Sequence, residues 1–342
     1  MAASDLAGHP EMRDAFGAAL VELGSERPDV FVLDADLNTS SKTNLFLDAF
    51  PARFIQVGIA EQDLFGIAAG LALEGFIPFP STFAVFAARR ALDQIAISIA
   101  YPRLNVKIPG SYVGLPTSRA GASHNSVEDI AVMRAVPNML VADPGDNADL
   151  RAVVRAAADT PGPVYFRVPR LNVPDMFDVD HKFSWGHGEI VRAGNDVSLF
   201  STGIMTSLCL RAADLLEAEG ISSEVVHLAS IKPLDVELVR RSASKTGCAV
   251  TAENATVIGG FGSAVLEALE DDPVPIRRIG VRDRWVDSGG IDDLFTHHEM
   301  QPIDIASAAR GLVEGKLRRQ RTAGDRTFAA AFERDAQEGE RL

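Results

Sequence analysis

The sequence predicts an α/β protein built from two open, mainly parallel sheets with helices on both faces. Short β-branched runs alternate with segments of helical apolar spacing, and this alternation fails once and then resumes. The chain has 342 residues, 46% of them hydrophobic, which is enough for two cores. In such sheets the loops beyond the carboxyl ends of the strands carry the chemistry, so functional residues are expected there.

The first domain is predicted over residues 8–172. It opens with a helix at Met12–Leu23 and a strand at Val30–Leu33, followed by a polar loop. The later helices are predicted at Asp63–Leu73, Ala84–Ile99, Ser126–Val136 and Asn147–Ala158. The later strands are predicted at Phe76–Phe83, Leu104–Ile108, Asn138–Asp143 and Pro163–Val168, with a polar loop at Gly110–Asn125.

A linker is predicted at residues 173–190, where the periodicity fails and proline, glycine and charged residues accumulate. The second domain is predicted over 191–316, and residues 317–342 form a charged tail to which no function is assigned. Its strands are predicted at Asp196–Thr202, Glu224–Ser230, Cys248–Asn254 and Ile276–Val281. Its helices are predicted at Ser207–Glu219, Val236–Ser244 and Ser263–Leu269.

Charge and composition exclude several classes of function. With 47 acidic and 33 basic residues, the net charge of −14 repels nucleic acid. The chain has neither a signal-like N-terminus nor an apolar run long enough for a membrane span, so a cytoplasmic location is expected. Cys209 and Cys248 are predicted to be buried thiols.

Glu61 is the most informative candidate for chemistry. It lies in Gly-Ile-Ala-Glu-Gln-Asp, between an apolar strand and an Ala- and Gly-rich helix that should be buried. A carboxylate in such a place is costly without a specific partner. From this segment alone, a helix N-terminal carboxylate that accepts backbone N–H groups is an equally good interpretation.

A pair of aromatic residues favours the functional interpretation of the carboxylate. Phe83 and Phe86 are spaced one helical turn apart at the end of a predicted strand. Such a pair alone usually packs in a core. Together with a buried glutamate, it can form a slot in which a flat heteroaromatic ring stacks while the carboxyl group meets a ring nitrogen.

Several motifs in order carry a family resemblance over Arg13 to Gly311. They are ADLNTS, GIAEQ, STFAVFAARRALDQI, GASHNSVEDIA, PNMLVADP, PVYFRVPR, VTAENATVIGGFGSAV and DRWVDSG. This ordered set resembles the C-terminal half of transketolase, and most closely the second subunit of split transketolases. The resemblance implies a thiamine-diphosphate pyrimidine-binding domain followed by a transketolase C-terminal domain.

The resemblance implies roles for residues around the cofactor. Glu61 matches the glutamate that bonds the aminopyrimidine ring nitrogen of thiamine diphosphate and promotes its imino tautomer. Phe83 and Phe86 match the aromatic slot for the pyrimidine. Asp36 matches an aspartate that orders the pocket, and Arg89 is also predicted to bind the cofactor.

The resemblance also implies a substrate-binding set. His124 matches the histidine that bonds substrate hydroxyls and is predicted to be catalytic together with the glutamate. Arg13, Ser40 and Arg170 match positions that hold the sugar phosphate, and an arginine can offer phosphate two hydrogen bonds at once.

The sequence departs from the transketolase pattern just before the substrate histidine. Ser-Arg-Ala-Gly replaces the usual Gly-Glu-Asp-Gly, and Tyr112 stands where the family has a phosphate-binding histidine. Ala120 lacks the carboxylate that recognises a substrate hydroxyl. We hypothesise that Arg119 holds an anionic group in place of the missing histidine, which favours a specialised or branched sugar phosphate as substrate.

The resemblance further implies a partner chain. Thiamine enzymes hold the diphosphate through Mg²⁺ or Ca²⁺ in a Gly-Asp-Gly segment, and this sequence contains none. No metal ligand is therefore predicted in this chain. The expected partner is an N-terminal transketolase subunit that carries that segment, in an α2β2 heterotetramer that acts on sugar phosphates.

Other functions remain open at this point. The beta subunit of a 2-oxo acid dehydrogenase shares the glutamate and the aromatic segment, and a deoxyxylulose-phosphate-synthase-like activity is a lesser variant. A non-catalytic regulatory homologue would explain the altered loop. Glu253 and His227 are predicted to be structural, and the glycine run at 259–262 is predicted to be a tight turn that opens a helix.

Overall fold

The computed structural model describes residues 9–316, so the predicted tail lies outside the described residues. The strands of the first domain are β1 (Val30–Asp34), β2 (Phe54–Gln56), β3 (Ile77–Phe83), β4 (Lys107–Ser111), β5 (Leu140–Ala142) and β6 (Val164–Val168). Its α-helices are α1 (Met12–Glu26), α2 (Asn38–Ser41), α3 (Asn44–Ala49), α4 (Glu61–Leu73), α5 (Asp129–Ala135) and α6 (Asn147–Asp159). Short 3₁₀ turns lie at Pro51–Arg53 and Leu115–Ala120.

The second domain repeats the alternation over a shorter span. Its strands are β7 (Glu189–Arg192), β8 (Val197–Ser201), β9 (Ser223–His227), β10 (Ser230–Lys232), β11 (Ala249–Thr256) and β12 (Ile276–Val281). Its helices are α7 (Met205–Ala218), α8 (Val236–Thr246), α9 (Phe261–Ala268) and α10 (Ile291–His297), followed by a helix over 302–316.

In residues 9–316 the strands form a seven-stranded and a five-stranded sheet. The first has the order β10-β5-β6-β4-β3-β1-β2 and is parallel except for β10, which pairs antiparallel with β5. The second has the order β12-β11-β8-β9-β7 and is parallel except for the edge strand β7. Central strands such as β6 and β8 are buried along their whole length, as expected for sheets covered on both faces. The predicted fold class is confirmed.

The fourth strand lies later in the chain than the sequence predicts. The prediction placed it at Leu104–Ile108 and began the loop at Gly110, but β4 runs through that glycine to Ser111. The glycine is required by packing, because a Cβ there would lie 2.2 Å from the hydroxyl oxygen of Tyr165 on β6. It therefore marks a close approach inside a strand rather than a turn.

The helix predicted at Ala84–Ile99 is irregular in the structure. It consists of two π-helical segments, Phe86–Arg90 and Gln94–Ala100. A π-turn inserts an extra residue into a helix and shifts the side chains that follow it, and such turns are frequent at functional sites. Here the first π-turn directly follows β3 and sets the directions of Phe86 and Arg90.

Buried polar contacts join the domains. β10 belongs to the second domain by sequence but extends the first sheet, and the backbone N–H of Leu115 donates to Asn254 Oδ1 at 2.9 Å. His227 Nε2 lies 3.0 Å from Asp149 Oδ2 on α6. The domain boundaries at 172 and 190 stay a prediction, because contacts of both domains and the segment between them are continuous.

Several structural predictions for single residues are confirmed. Cys209 and Cys248 are buried free thiols. Gly259 has a φ of +70° just before α9, and Glu253 accepts hydrogen bonds from the first backbone N–H groups of that helix, at 2.6 and 2.8 Å. His227 is buried and donates to or accepts from Thr206 at 2.7 Å. Within residues 9–316, no helix has the length and apolarity that crossing a membrane requires.

Candidate active site

Glu61 is the first residue of α4, and only 2% of its side chain is exposed. The sequence predicts it in an apolar wall, but the structure gives it a cationic partner that the sequence did not reveal. Arg90 Nη1 donates to both carboxylate oxygens, at 2.9 and 2.7 Å. An ion pair of this kind resolves the cost of a buried carboxylate.

The predicted aromatic slot is present next to this ion pair. Phe83 at the end of β3 and Phe86 in the π-turn stack with centroids 5.8 Å apart and planes inclined by 19°. His124 meets both rings edge-on, with centroid distances of 6.0 and 5.6 Å. Its Nδ1 is hydrogen-bonded to Ser123 Oγ at 2.8 Å, which leaves Nε2 directed to other partners. The structure thus brings three of the predicted site residues together.

Tyr112 connects this slot to two predicted anion-binding residues. Its ring stacks on Phe83 with centroids 4.2 Å apart. Arg13 Nη1 donates to its hydroxyl at 3.1 Å, and Arg170 Cζ lies 5.4 Å from its ring centroid. The sequence identified the tyrosine only as a departure from a family pattern. Its contacts place it between the two arginines.

The segment that follows β1 is fixed by a buried carboxylate. Arg13 Nη1 donates to the backbone carbonyl of Ser40 at 3.0 Å. Asp34 accepts hydrogen bonds from the backbone N–H of Leu37 at 2.6 Å and from Thr43 Oγ1 at 2.9 Å, and burial raises its pKa. Asp36 is exposed and has a φ of +62°. The carboxylate that orders the loop is therefore Asp34, and a cofactor role for Asp36 stays a prediction.

Arg89 lies away from the aromatic slot. It pairs with Glu128 and lies with Cζ 5.5 Å from the ring centroid of Trp285, a side chain in the second domain. These contacts bind it to the rim of the site. Its predicted contact with the cofactor stays a prediction.

A loop of the second domain closes over the altered substrate loop, which sequence reasoning missed. Ser288 Oγ donates to the carbonyl of Arg119 at 2.6 Å, and Ser118 Oγ donates to the carbonyl of Gly289 at 2.7 Å. The side chain of Arg119 is exposed, as is that of Trp285, in the same loop as the serine. The loop at 283–289 therefore belongs to the site, although the sequence assigned the second domain no chemistry.

No group of three or more His, Cys, Asp or Glu side chains in the described part of the chain could hold a metal ion. The site groups are instead one buried carboxylate, a histidine and a set of arginines around stacked rings. Such a set can bind a flat ring and an anion, and it can exchange a proton at the carboxyl group or the imidazole.

The fold and these residues define a thiamine-type pyrimidine-binding domain with its C-terminal companion. The family profile for the transketolase pyrimidine binding domain matches residues 9–176, and that for the transketolase C-terminal domain matches residues 186–305. The chain belongs to the transketolase family. Within that family it is of the C-terminal subunit type found in split transketolases.

Individual relatives agree over nearly the whole chain. The 6-deoxy-6-sulfo-D-fructose transketolase subunit of Clostridium sp. (strain MSTE9) is 42% identical over 306 residues, which covers 89% of this chain and 95% of the relative. One of the subunits of the apulose-4-phosphate transketolase of Phocaeicola vulgatus is 36% identical, over 88% and 97%. A solved structure described as an inactive β4 tetramer of a split-gene transketolase is 48% identical, with a TM-score of 0.83 over 89% and 98%.

Proposed function

We propose that this chain supplies the pyrimidine side of the active site of a thiamine-diphosphate-dependent transketolase. The enzyme moves a two-carbon ketol unit from an anionic ketose to an aldose or aldose phosphate. One observation carries the proposal: a buried carboxylate, Glu61, lies beside the stacked rings of Phe83 and Phe86, with His124 edge-on to both.

The residues fit the pyrimidine ring of thiamine diphosphate. The guanidinium of Arg90, itself a flat group with N–H donors, bonds both oxygens of Glu61 and has Cζ 4.7 Å from the ring centroid of Phe86. A flat group can therefore meet the carboxylate and an aromatic face at the same time. When bound, thiamine diphosphate supplies the carbon nucleophile for ketol transfer.

The residues of the chain have separate tasks in this proposal. Glu61 holds a proton at a carboxyl oxygen and exchanges it with the pyrimidine nitrogen. Phe83 and Phe86 orient the ring and exclude water from it. His124 presents Nε2 to the hydroxyls of the substrate, while Ser123 fixes the orientation of the imidazole.

The anionic end of the substrate is proposed to bind at Arg13 and Arg170, with the Ser40 segment beneath them and Tyr112 between them. The tyrosine hydroxyl accepts from Arg13, so its own hydrogen can be donated to an oxygen of the ligand. The two named relatives act on sugars that carry a sulfonate or a phosphate. Because Ala120 lacks the usual carboxylate, we propose a specialised or branched sugar phosphate, or a comparable anionic ketose.

The diphosphate and its divalent cation, Mg²⁺ or Ca²⁺, are proposed to be held by a partner subunit with a Gly-Asp-Gly segment. Two copies of each subunit would form an α2β2 heterotetramer, with the active site between unlike chains. The absence of that segment from this sequence and the inactive β-only assembly of the 48% identical structure support the proposal.

The test is reconstitution. We expect no transfer by this chain alone, and transfer from an anionic ketose once it is co-purified with a Gly-Asp-Gly subunit in the presence of thiamine diphosphate and Mg²⁺. Full activity of the isolated chain would refute the split site. Release of carbon dioxide from pyruvate or branched 2-oxo acids would favour the dehydrogenase, and an inert complex that still binds the cofactor would favour the regulatory homologue.

A further inference from the structure

The slot proposed for the pyrimidine already contains a side chain of this protein. Arg90 Nη1 donates to Oε1 and Oε2 of Glu61 at 2.9 and 2.7 Å. The same guanidinium lies over the ring of Phe86, with Cζ 4.7 Å from the centroid. These are the carboxylate and the aromatic face that the proposed function assigns to the cofactor ring.

Arg90 and the cofactor ring therefore compete for the same atoms. Both oxygens of Glu61 accept from the arginine, so neither can reach a ring nitrogen while the ion pair is closed. The guanidinium also covers a face of Phe86 on which a ring would stack. A pyrimidine can enter only if the arginine leaves.

The exposure of the two partners shows which one can move. The side chain of Glu61 is 2% exposed at the start of α4, whereas that of Arg90 is 49% exposed at the end of a π-turn. An ion pair with one solvated partner is modest in strength, so the arginine can move into water at low cost. The neighbouring Arg89 is held separately by Glu128 and Trp285 and does not block the slot.

We propose that Arg90 is an intramolecular place-holder that occupies the pyrimidine site of the unpartnered chain and swings out when the cofactor ring arrives. The inference rests on the proposed function. It adds a reason for the chain to be silent alone: besides lacking a diphosphate site, it keeps its carboxylate paired and its aromatic face covered. A binding-competent state that is only fractionally populated lowers the apparent affinity by that fraction.

The test is calorimetric titration of thiamine diphosphate into the full chain without a partner. The wild type, Arg90→Ala and Arg155→Ala are compared, the last removing an arginine paired with Glu26 on a remote surface. We expect Arg90→Ala to bind about tenfold more tightly than the wild type, and Arg155→Ala to match the wild type. The gain should vanish in the double variant Arg90→Ala/Glu61→Gln. Far-UV circular dichroism checks folding, and Arg90→Gln, which removes the charge but keeps a side chain, is the second variant.

The outcomes separate the place-holder from the proposed function. Binding by both Arg90 variants that is no tighter than that of the wild type, including no measurable binding by any chain, overturns the place-holder. The proposed function fails separately if Glu61→Gln in the reconstituted complex retains full transfer activity. Loss of cofactor affinity in a reconstituted Arg90→Ala complex would also overturn the place-holder, because the arginine would then belong to the assembled site.

Discussion

The ring of Tyr112 stacks on the ring of Phe83, with centroids 4.2 Å apart and planes inclined by 26°. The backbone of this tyrosine has a φ of +59°, which is costly for a bulky residue and is concentrated at functional sites. Its hydroxyl accepts a hydrogen bond from Arg13. Tyr112 therefore connects the proposed cofactor slot to the proposed anion-binding end.

Tyr112→Phe should raise KM for the anionic ketose about tenfold and leave kcat nearly unchanged. The ring stacking survives, but the hydroxyl is lost, and a hydrogen bond to a charged group contributes about 1.5–3 kcal/mol. Steady-state kinetics of the reconstituted complex measure the effect. Tyr101→Phe, at an exposed position, is the control. Equal KM values for the two variants would remove the tyrosine from the substrate site.

Arg119→Ala should raise KM for an anionic ketose severalfold, and the effect should shrink as ionic strength rises. The side chain is exposed at the rim, so its interaction with the substrate is screened by salt. The measurement is KM at low and high salt, with the exposed Arg241→Ala on α8 as the control. Unchanged turnover at an unchanged KM would rule out a role for Arg119 in holding the anion.

Arg167→Met should lower the free energy of unfolding by about 3–5 kcal/mol, because it leaves two buried carboxylates without their cation. Arg167 is buried and donates to Asp129 at 2.8 and 3.1 Å, to Asp143 at 3.2 Å and to the carbonyl of Asn254 at 3.0 Å. Chemical denaturation measures the change, and Arg155→Met at an exposed pair should change it little. Equal effects of the two substitutions would contradict the buried network.

His181→Gln should destabilise the protein most at low pH. A hydrogen bond to Asp149 raises the pKa of His181 above its usual 6.5, and despite burial the bonds from His181 and His227 hold the pKa of Asp149 below its usual range. The contribution of His181 is complete below pH 6.5 and is lost as the pH rises through the raised pKa. Unfolding free energies of the variant and the wild type should converge above that range.

The control for the pH dependence is His187→Gln, at an exposed position of the same segment. Its difference from the wild type should not narrow with rising pH in the same way. A gap between His181→Gln and the wild type that widens towards alkaline pH would reverse the sign and contradict the account.

The sequence was sufficient for the alternation of strands and helices, the burial of Glu61 and the pairing of Phe83 with Phe86. Each of these depends on local periodicity or on a short spacing. The register of β4 was wrong because a glycine inside a strand is indistinguishable from a turn glycine until Tyr165 is seen against it.

The partner of Glu61 could not be predicted, because Arg90 is 29 residues away and its direction depends on a π-turn that has no simple sequence signal. The loop at 283–289 was missed for a related reason: its hydrogen bonds to Ser118 and Arg119 join segments about 170 positions apart, as given by sequence separations of 171 and 169. Such contacts follow from the packing of the domains and not from any local pattern.

The most direct test of the central claim is the transfer activity of the reconstituted complex with Glu61→Gln in place of the wild-type chain. Glutamine keeps the size of the side chain but cannot exchange the proton, so we expect activity to fall at least about 100-fold with the complex still assembled. Wild-type activity in the variant complex would contradict the account.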